Sequence, residues 1–290
     1  MSVTKSDFES VLRDIVAEAA DARCPPKLAA ALWHSVFPGG ARVRPKLCLA
    51  VALANGGDAP QLTAAAAASV ELLHCASLVH DDLPCFDNAA ERRGQASVHR
   101  AFGEPLAVLA GDALIVAAFS SLARADLPAQ ERVPELMRII AKGVGSPCGI
   151  AAGQAWESEP VVDVSLYHQS KTGALFIAAT AAGAASAGVD VVPWVALGHK
   201  IGEAYQVADD IQDATATTAE IGKPIGVDDA LARPNIVRER GLEGATRRLR
   251  ELVEEGVAAV PECPGRTELQ EVVRQQSQRF LPRACEPVAA

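Results

Sequence analysis

Apolar side chains recur at helical spacing from the start of the chain: Phe8, Val11, Leu12, Ile15, Val16 and Ala19 share one face, with Ser6 and Glu9 forming a capping box ahead of them. Cys24-Pro25-Pro26 breaks this helix. Pro26 opens a second that runs to Val36, the Pro38-Gly39-Gly40 turn ends it, and a third spans about Val43 to Ala54 before Asn55-Gly56-Gly57. The same periodicity predicts helices near 62–82, 104–124, 146–157, 163–187, 191–214, 242–259 and 267–281. No Ser/Gly linker, charge block or internal repeat separates them, so residues 1–290 read as one all-α domain.

Composition strengthens this reading. Alanine, the best helix former, is the commonest residue, aromatics make up only 4%, and β-branched residues fall in short runs, which excludes a mainly β fold. At 49% hydrophobic and 22% charged the chain can bury a sizeable core. Acidic residues outnumber basic ones 36 to 27, and a net charge of −9 argues against general affinity for nucleic acid or anionic lipid. Any anion must therefore be held by a local site. Seven cysteines without a CxxC pair point to a reducing cytoplasm rather than to disulfides or a zinc cluster. The polar start MSVTKSDFES lacks the apolar core of a signal peptide. Two apolar stretches, Pro105–Ala123 and Gly173–Val189, are expected to be helices buried on all sides rather than membrane spans.

The most informative segment is His74 to Asn88, where Asp81, Asp82 and Asp87 gather at the end of a long apolar helix. On an unbroken helix Asp81 and Asp87 point apart, but Pro84 must disturb the helix, and a terminal loop can curl Asp87 back. His74 lies two turns before Asp81 on the same face. In Gly202–Asp213, Gln206, Asp209 and Asp213 follow i, i+3, i+7 spacing and share a face, with Asp210 beside them. Either cluster alone reads as a solvated acidic helix end. Two such clusters, each ending an apolar helix, are harder to explain without cations, and hard oxygen ligands suggest Mg²⁺ that keeps waters and shares its shell with phosphates. Basic groups are equally local: Arg42 and Arg44, Arg92-Arg93-Gly94, Lys171-Thr172-Gly173 and Gly222-Lys223-Pro224. Carboxylates alternating with fixed guanidinium and ammonium groups describe a site for two diphosphates.

From about residue 37 to residue 245 the order of these motifs resembles the trans-type isoprenyl diphosphate synthase (polyprenyl synthetase) family. GGARVRP is similar to the family's GGKRxRP, DDLPCFD to its first aspartate-rich motif, and RRGQ and HRAFGE to the loop that follows. KTGALF is similar to its KTG element and DDIQD to its second aspartate-rich motif. The spelling PCFDNAAERRGQ most resembles bacterial geranylgeranyl diphosphate synthases of carotenoid pathways. The resemblance implies an all-α bundle of ten or more helices around a deep central cavity, and a homodimer packed through helices. It implies Mg²⁺, about three ions per site, held by Asp81, Asp82, Asp87, Asp209 and Asp213, with Lys171 and Asp210 also in the catalytic set. Isopentenyl diphosphate is then held by Arg44, His74 and Arg93, and an allylic diphosphate by Arg92, Lys171, Thr172, Gln206 and Lys223. Ala41 departs from the pattern where the family usually has lysine, with Lys46 or Arg42 as candidates to replace it, and Val227 stands where a second lysine often follows. Glu157 stands near the position of a family aspartate and can meet its orienting role.

The implied chemistry is ionisation, condensation and elimination. The allylic diphosphate leaves, the double bond of isopentenyl diphosphate attacks the allylic cation, and a proton is lost, with no side-chain nucleophile. His80 and His99 then read as structural, and Cys85 as a small apolar residue. Water would quench the cation, so the growing tail needs a dry tunnel. Ala76 and Ser77, one turn before Asp81, border it where the family sets product length by bulk. Neither is aromatic, which favours a C20 product over C15, with Leu72, Leu73 or Phe119 as candidate floors. A farnesyl diphosphate (C15) synthase and a noncatalytic partner subunit of a heteromeric synthase are the alternatives. A class I terpene cyclase is the nearest enzymatic rival, disfavoured by DDIQD and by the second basic pocket.

Overall fold

The computed structural model describes residues 5–37, 39–215 and 235–278. Helices α1 (Lys5–Ala19), α2 (Pro26–Val36), α3 (Val43–Ala54) and α4 (Pro60–Asp81) come first. Pro26 and Pro60 open α2 and α4, where a missing N–H leaves no hydrogen bond unmade. Phe8, Leu12, Ile15 and Val16 of α1 are buried, as their spacing predicts. A small hairpin follows, β1 (Glu91–Arg92) antiparallel to β2 (Gln95–Ala96). Its turn residues Arg93 and Gly94 have φ of 55° and 75°, the two positive values that a type I′ turn requires.

The remainder is again helical: α5 (Val98–Phe102), α6 (Glu104–Leu122), α7 (Val133–Val144), α8 (Ile150–Ala155) and α9 (Val164–His168). A π-helical turn (Gln169–Gly173) joins α9 directly to α10 (Ala174–Ser186), and α11 (Val192–Thr215), α12 (Ile236–Ala258) and α13 (Arg266–Gln278) complete the described chain. Helices α5 and α7 and the starts of α8 and α12 differ from expectation. Helix α7 was not foreseen, although Leu136, Ile139, Ile140 and Gly143 bury an i, i+3, i+4, i+7 stripe. The helix expected near 146–157 begins only at Ile150. Helix α12 starts before residue 242 because the Asn235 side chain caps it, accepting from the Val237 N–H at 2.9 Å; Gly241, at φ 68°, kinks it. The Ser6 side chain, Lys223, Val227 and the last residues of the 267–281 expectation lie outside the described residues.

Helices α4 and α10 form the centre. Every residue of α10 but Ile177 is buried, as is α4 along most of its length. Helix α4 packs on α3, α6 and α10, and α10 packs also on α7 and α11. The alanines of 64–68 and 178–185 let backbones approach closely. Leu62, Leu72, Leu114, Leu136 and Leu175 fill the gaps, each stabilising the fold by about 2 kcal/mol through burial.

Two helices, α4 and α6, are long and apolar enough to cross a membrane by length and composition. The apolar stretch of α4 is 83% buried in the protein and that of α6 only 44%. The expectation that 105–123 is enclosed on all sides is thereby corrected: Val108, Leu109 and Val116 are exposed along one face of α6. The stretch 173–189 folds as the 13-residue α10, too short to span.

Candidate active site

At the end of α4 a cavity of about 580 Å³ opens between α4, α6, α7, α8, the π turn and α11. Asp81, Lys171 and Thr172 stand on its polar side, and Leu73, Ala76 and Ser77 line its wall. From Asp81 back to Leu73 the wall follows α4 for about 12 Å at 1.5 Å per residue. Phe119 and Leu72, the other expected floor residues, do not line it: Leu72 is wholly buried in the main core and Phe119 packs against that core. Ile115, one turn before Phe119, takes its place, together with Val144 of α7 and Ile150 of α8.

The loop after α4 curls back as Pro84 predicts, the Asp87 N–H donating to the Asp81 carbonyl at 3.0 Å. Asp81 keeps its side chain at the cavity. Asp82 does not, and its expected place among the metal ligands is corrected, because one residue along a helix is a rotation of about 100°. Its carboxylate is buried and accepts from Arg92 Nε at 3.0 Å and from Nη2. Burial raises its pKa, opposed by the Arg92 bonds. Arg92 Nη2 also lies 3.9 Å from Asp81, so Asp82 aims this guanidinium at the site. Among the described residues no three His, Cys, Asp or Glu side chains gather tightly enough to hold a metal by themselves.

Lys171 and Thr172, consecutive on the π turn, reach both acidic helices. Lys171 Nζ donates to Glu157 Oε1 at 2.5 Å and to Asp81 Oδ1 at 3.4 Å; the Tyr167 hydroxyl donates to the same Glu157 oxygen at 2.7 Å. Glu157 thus holds Lys171 in place. The turn lies flat on α8 because residue 153 is glycine, where a Cβ would sit 2.3 Å from the Lys171 nitrogen. Thr172 Oγ1 donates to Gln206 Oε1 at 2.7 Å, and Gln206 Nε2 donates to Asp210 Oδ1 at 3.0 Å. Asp210 is buried, and its Oδ2 accepts from the Ile236 N–H at 2.9 Å. It thereby orients Gln206 and the start of α12. Asp209 and Asp213, one and two turns beyond the cavity residue Tyr205, are half-buried on α11.

A cationic pocket adjoins the acidic one. Arg44 is 8% exposed, its Cζ 4.2 Å from the Phe176 ring centroid, and its Nε has no hydrogen-bond partner. Arg44 Nη1 lies 3.5 Å from His74 Nε2; since a guanidinium only donates, Nε2 accepts and the His74 proton sits on Nδ1. Burial, then the charges of Arg44 and Arg93, push the His74 pKa well below its ordinary value, so the ring is neutral. Neither Arg44 nor Arg93 has a carboxylate within ion-pair distance among the described residues. Partly buried guanidiniums left unpaired are costly and fit an anionic ligand. Arg42, one candidate for the missing lysine's role, is corrected to a structural residue: it is buried, with Nη1 2.6 Å from Glu71, Nε 3.1 Å from Glu9 and Nη2 donating to Val36 O. His80 rests on the α6 backbone, its Nε2 3.3 Å from Val108 O, while His99 Nδ1 lies 3.0 Å from the Ser97 hydroxyl oxygen.

The family model described as polyprenyl synthetase matches residues 25–273. A geranylgeranyl diphosphate synthase of Cereibacter sphaeroides is 52% identical over 275 residues, 95% of this chain and 96% of that one. Another, of Rhodobacter capsulatus, is 49% identical over 281 residues and covers 97% of both. The solved geranyltransferase of Helicobacter pylori, complexed with magnesium and isoprenyl diphosphate, matches with a TM-score of 0.79 at 31% identity, covering 94% of this chain and 97% of that one. Fold, motif order and sequence identity agree over nearly the whole length, and the chain belongs to the polyprenyl synthetase family.

Proposed function

We propose that the chain is a geranylgeranyl diphosphate synthase, joining isopentenyl diphosphate head to tail with dimethylallyl, geranyl or farnesyl diphosphate and releasing diphosphate. The reading extends to one domain per chain, and to a cytoplasmic homodimer serving carotenoid synthesis. The observation that carries it is the Lys171–Thr172 pair, whose side chains bond to Asp81 on one acidic helix and Gln206 on the other, beside a pocket of unpaired guanidiniums.

The donor set fits Mg²⁺: Asp81, Asp87, Asp209 and Asp213 offer hard carboxylate oxygens, and the Lys171 ammonium 3.4 Å from Asp81 is consistent with a carboxylate that faces positive charge. Bound magnesium, about three ions in the full proposal, supplies charge neutralisation for the departing diphosphate. The remaining work belongs to side chains. Lys171 and Arg92 grip the allylic diphosphate and stabilise its charge as the C–O bond breaks, while Thr172 and Gln206 fix its position; Lys223 is assigned the same grip. Arg44, Arg93 and neutral His74 hold isopentenyl diphosphate so that its double bond meets the allylic carbon. The apolar walls keep water from the cation, and the leaving diphosphate accepts the proton lost after condensation.

Protein incubated with isopentenyl diphosphate, Mg²⁺ and each starter in turn should yield, after dephosphorylation, a C20 alcohol on chromatography that disappears on chelation. No elongation from any starter overturns the reading, and a stop at C15 overturns the length. The exposed face of α6 supports the homodimer, and light scattering should read twice the 30.2 kDa chain mass. Product length has its own test. Ala76 is 1% exposed and lines the cavity one turn from Asp81. Ala76→Phe puts a ring in the path of the tail, and overpacking of about 1–3 kcal/mol falls on the longer chain alone. Its main product should be C15, and an unchanged C20 product would show that the tail runs elsewhere.

A further inference from the structure

We propose, resting on the synthase reading above, that His34 is a positioning residue for isopentenyl diphosphate: its bond to the backbone of the β1–β2 hairpin sets where Arg93 stands. The hairpin carries Arg92 and Arg93 on two residue pairs, Glu91 with Ala96 and Arg92 with Gln95, and a ribbon so short does not hold its own place. Close packing does not hold it either. A cavity of about 30 Å³, room for about two waters, lies behind it, lined by His34, Cys75, Asp82, Arg92, Arg93 and Ala96. The position of the hairpin therefore depends on directed bonds.

His34 supplies one from the last turn of α2. Its Nε2 lies 2.7 Å from the Ala96 carbonyl oxygen, and since a carbonyl only accepts, Nε2 carries the proton and donates. The ring is itself fixed, edge-on to Phe102 of α5 with centroids 5.3 Å apart. One imidazole thus ties α2 and α5 to strand β2. The two arginines do not depend on this tie equally. Arg92 is also gripped by Asp82, its Nε donating at 3.0 Å. Arg93 packs on Gly40, where a Cβ would lie 2.7 Å from its Cζ, and makes no ion pair among the described residues, so its guanidinium goes where the hairpin backbone goes. Loss of the tie should fall on isopentenyl diphosphate, the ligand assigned to Arg93, and spare the allylic diphosphate.

The test compares wild type with His34→Phe, which keeps a ring beside Phe102 and removes the donor, and with His34→Gln, whose amide nitrogen can donate from nearly the same place. The bond lies at the surface, where water can satisfy the Ala96 carbonyl, so the Tm should hold in both variants. His34→Phe should raise KM for isopentenyl diphosphate about fivefold, the effect of one hydrogen bond. KM for the allylic substrate and kcat at saturation should stay within about twofold. His34→Gln should recover most of the loss. An unchanged KM for isopentenyl diphosphate in His34→Phe overturns the proposal. So does a rise shared equally by both substrates, or a His34→Gln variant as weak as His34→Phe, because loosened packing behaves that way and a lost bond does not. Calorimetric binding of isopentenyl diphosphate separates this inference from the synthase reading. Wild type that binds but elongates nothing defeats the reading, whereas wild type that elongates alongside a His34→Phe variant of equal affinity defeats His34.

Discussion

Asp81→Asn is expected to lower kcat/KM about a thousandfold while leaving the fold intact. The substitution keeps shape and removes one charge. Asp81 is the point where the ends of three elements meet: α4 terminates on it, Lys171 approaches to 3.4 Å from the π turn, and Arg92 to 3.9 Å from the hairpin. Lys171 retains Glu157 at 2.5 Å, so the ammonium stays anchored and the melting temperature should hold. What is lost is a hard anionic oxygen on the cavity wall, and with it, on the proposed assignment of Asp81 as a ligand, affinity for Mg²⁺. Steady-state kinetics across a Mg²⁺ titration should show both a lower ceiling and a right-shifted midpoint. Activity within tenfold of wild type at unchanged Mg²⁺ dependence would remove Asp81 from the metal site.

The second large effect concerns stability. Glu71→Ala should destabilise the protein by about 3 kcal/mol or more, because removing one partner of a buried ion pair leaves the other charge uncompensated. Arg42 and Glu71 are each 2% exposed at the side chain and 2.6 Å apart. Burial lowers the Arg42 pKa, yet the charge of Glu71 and the bonds to Glu9 and Glu71 outweigh it and the net shift is upward. After truncation only the Val36 carbonyl and the partly exposed Glu9 remain. Urea denaturation gives the loss directly. A companion in which both residues become methionine should recover much of it, since it removes the stranded charge as well. A loss below about 1 kcal/mol for Glu71→Ala would mean that water reaches the guanidinium.

How far the sequence shows the site depends on the kind of signal. The acidic motifs, the cations between them and the curl of Asp87 past Pro84 were all legible, because charge at the end of an apolar helix is conspicuous. The roles within each Asp-Asp pair were open to the same geometry: neighbours on a helix face directions about 100° apart, so Asp82 and Asp210 cannot share the view of Asp81 and Asp209. Glu157 was legible only as a departure from a motif, since its bond to Lys171 spans 14 residues and a change of helix. Phe119 and Ile115 lie on one face of α6, and periodicity fixes a face but not the depth at which the cavity ends. The hairpin escaped notice because two-residue strands leave no alternation to read, and the cue that remained was Gly94 in its turn.

The π-helical turn has a consequence for how this chain can change. Such a turn takes in one residue more than the α-turn it replaces, so the helix from Val164 to Ser186 carries a phase step of about 100° at its middle. Before the step Tyr167 reaches Glu157, within it Lys171 and Thr172 face the cavity, and residues after it are buried in the core. Loss of a single codon within 169–173 would let the helix run through in one register, keep the buried alanines of α10 where they are and rotate Tyr167 away from Glu157. One turn thus sets two registers, one for the contacts of Lys171 and Thr172 and one for the buried face of α10.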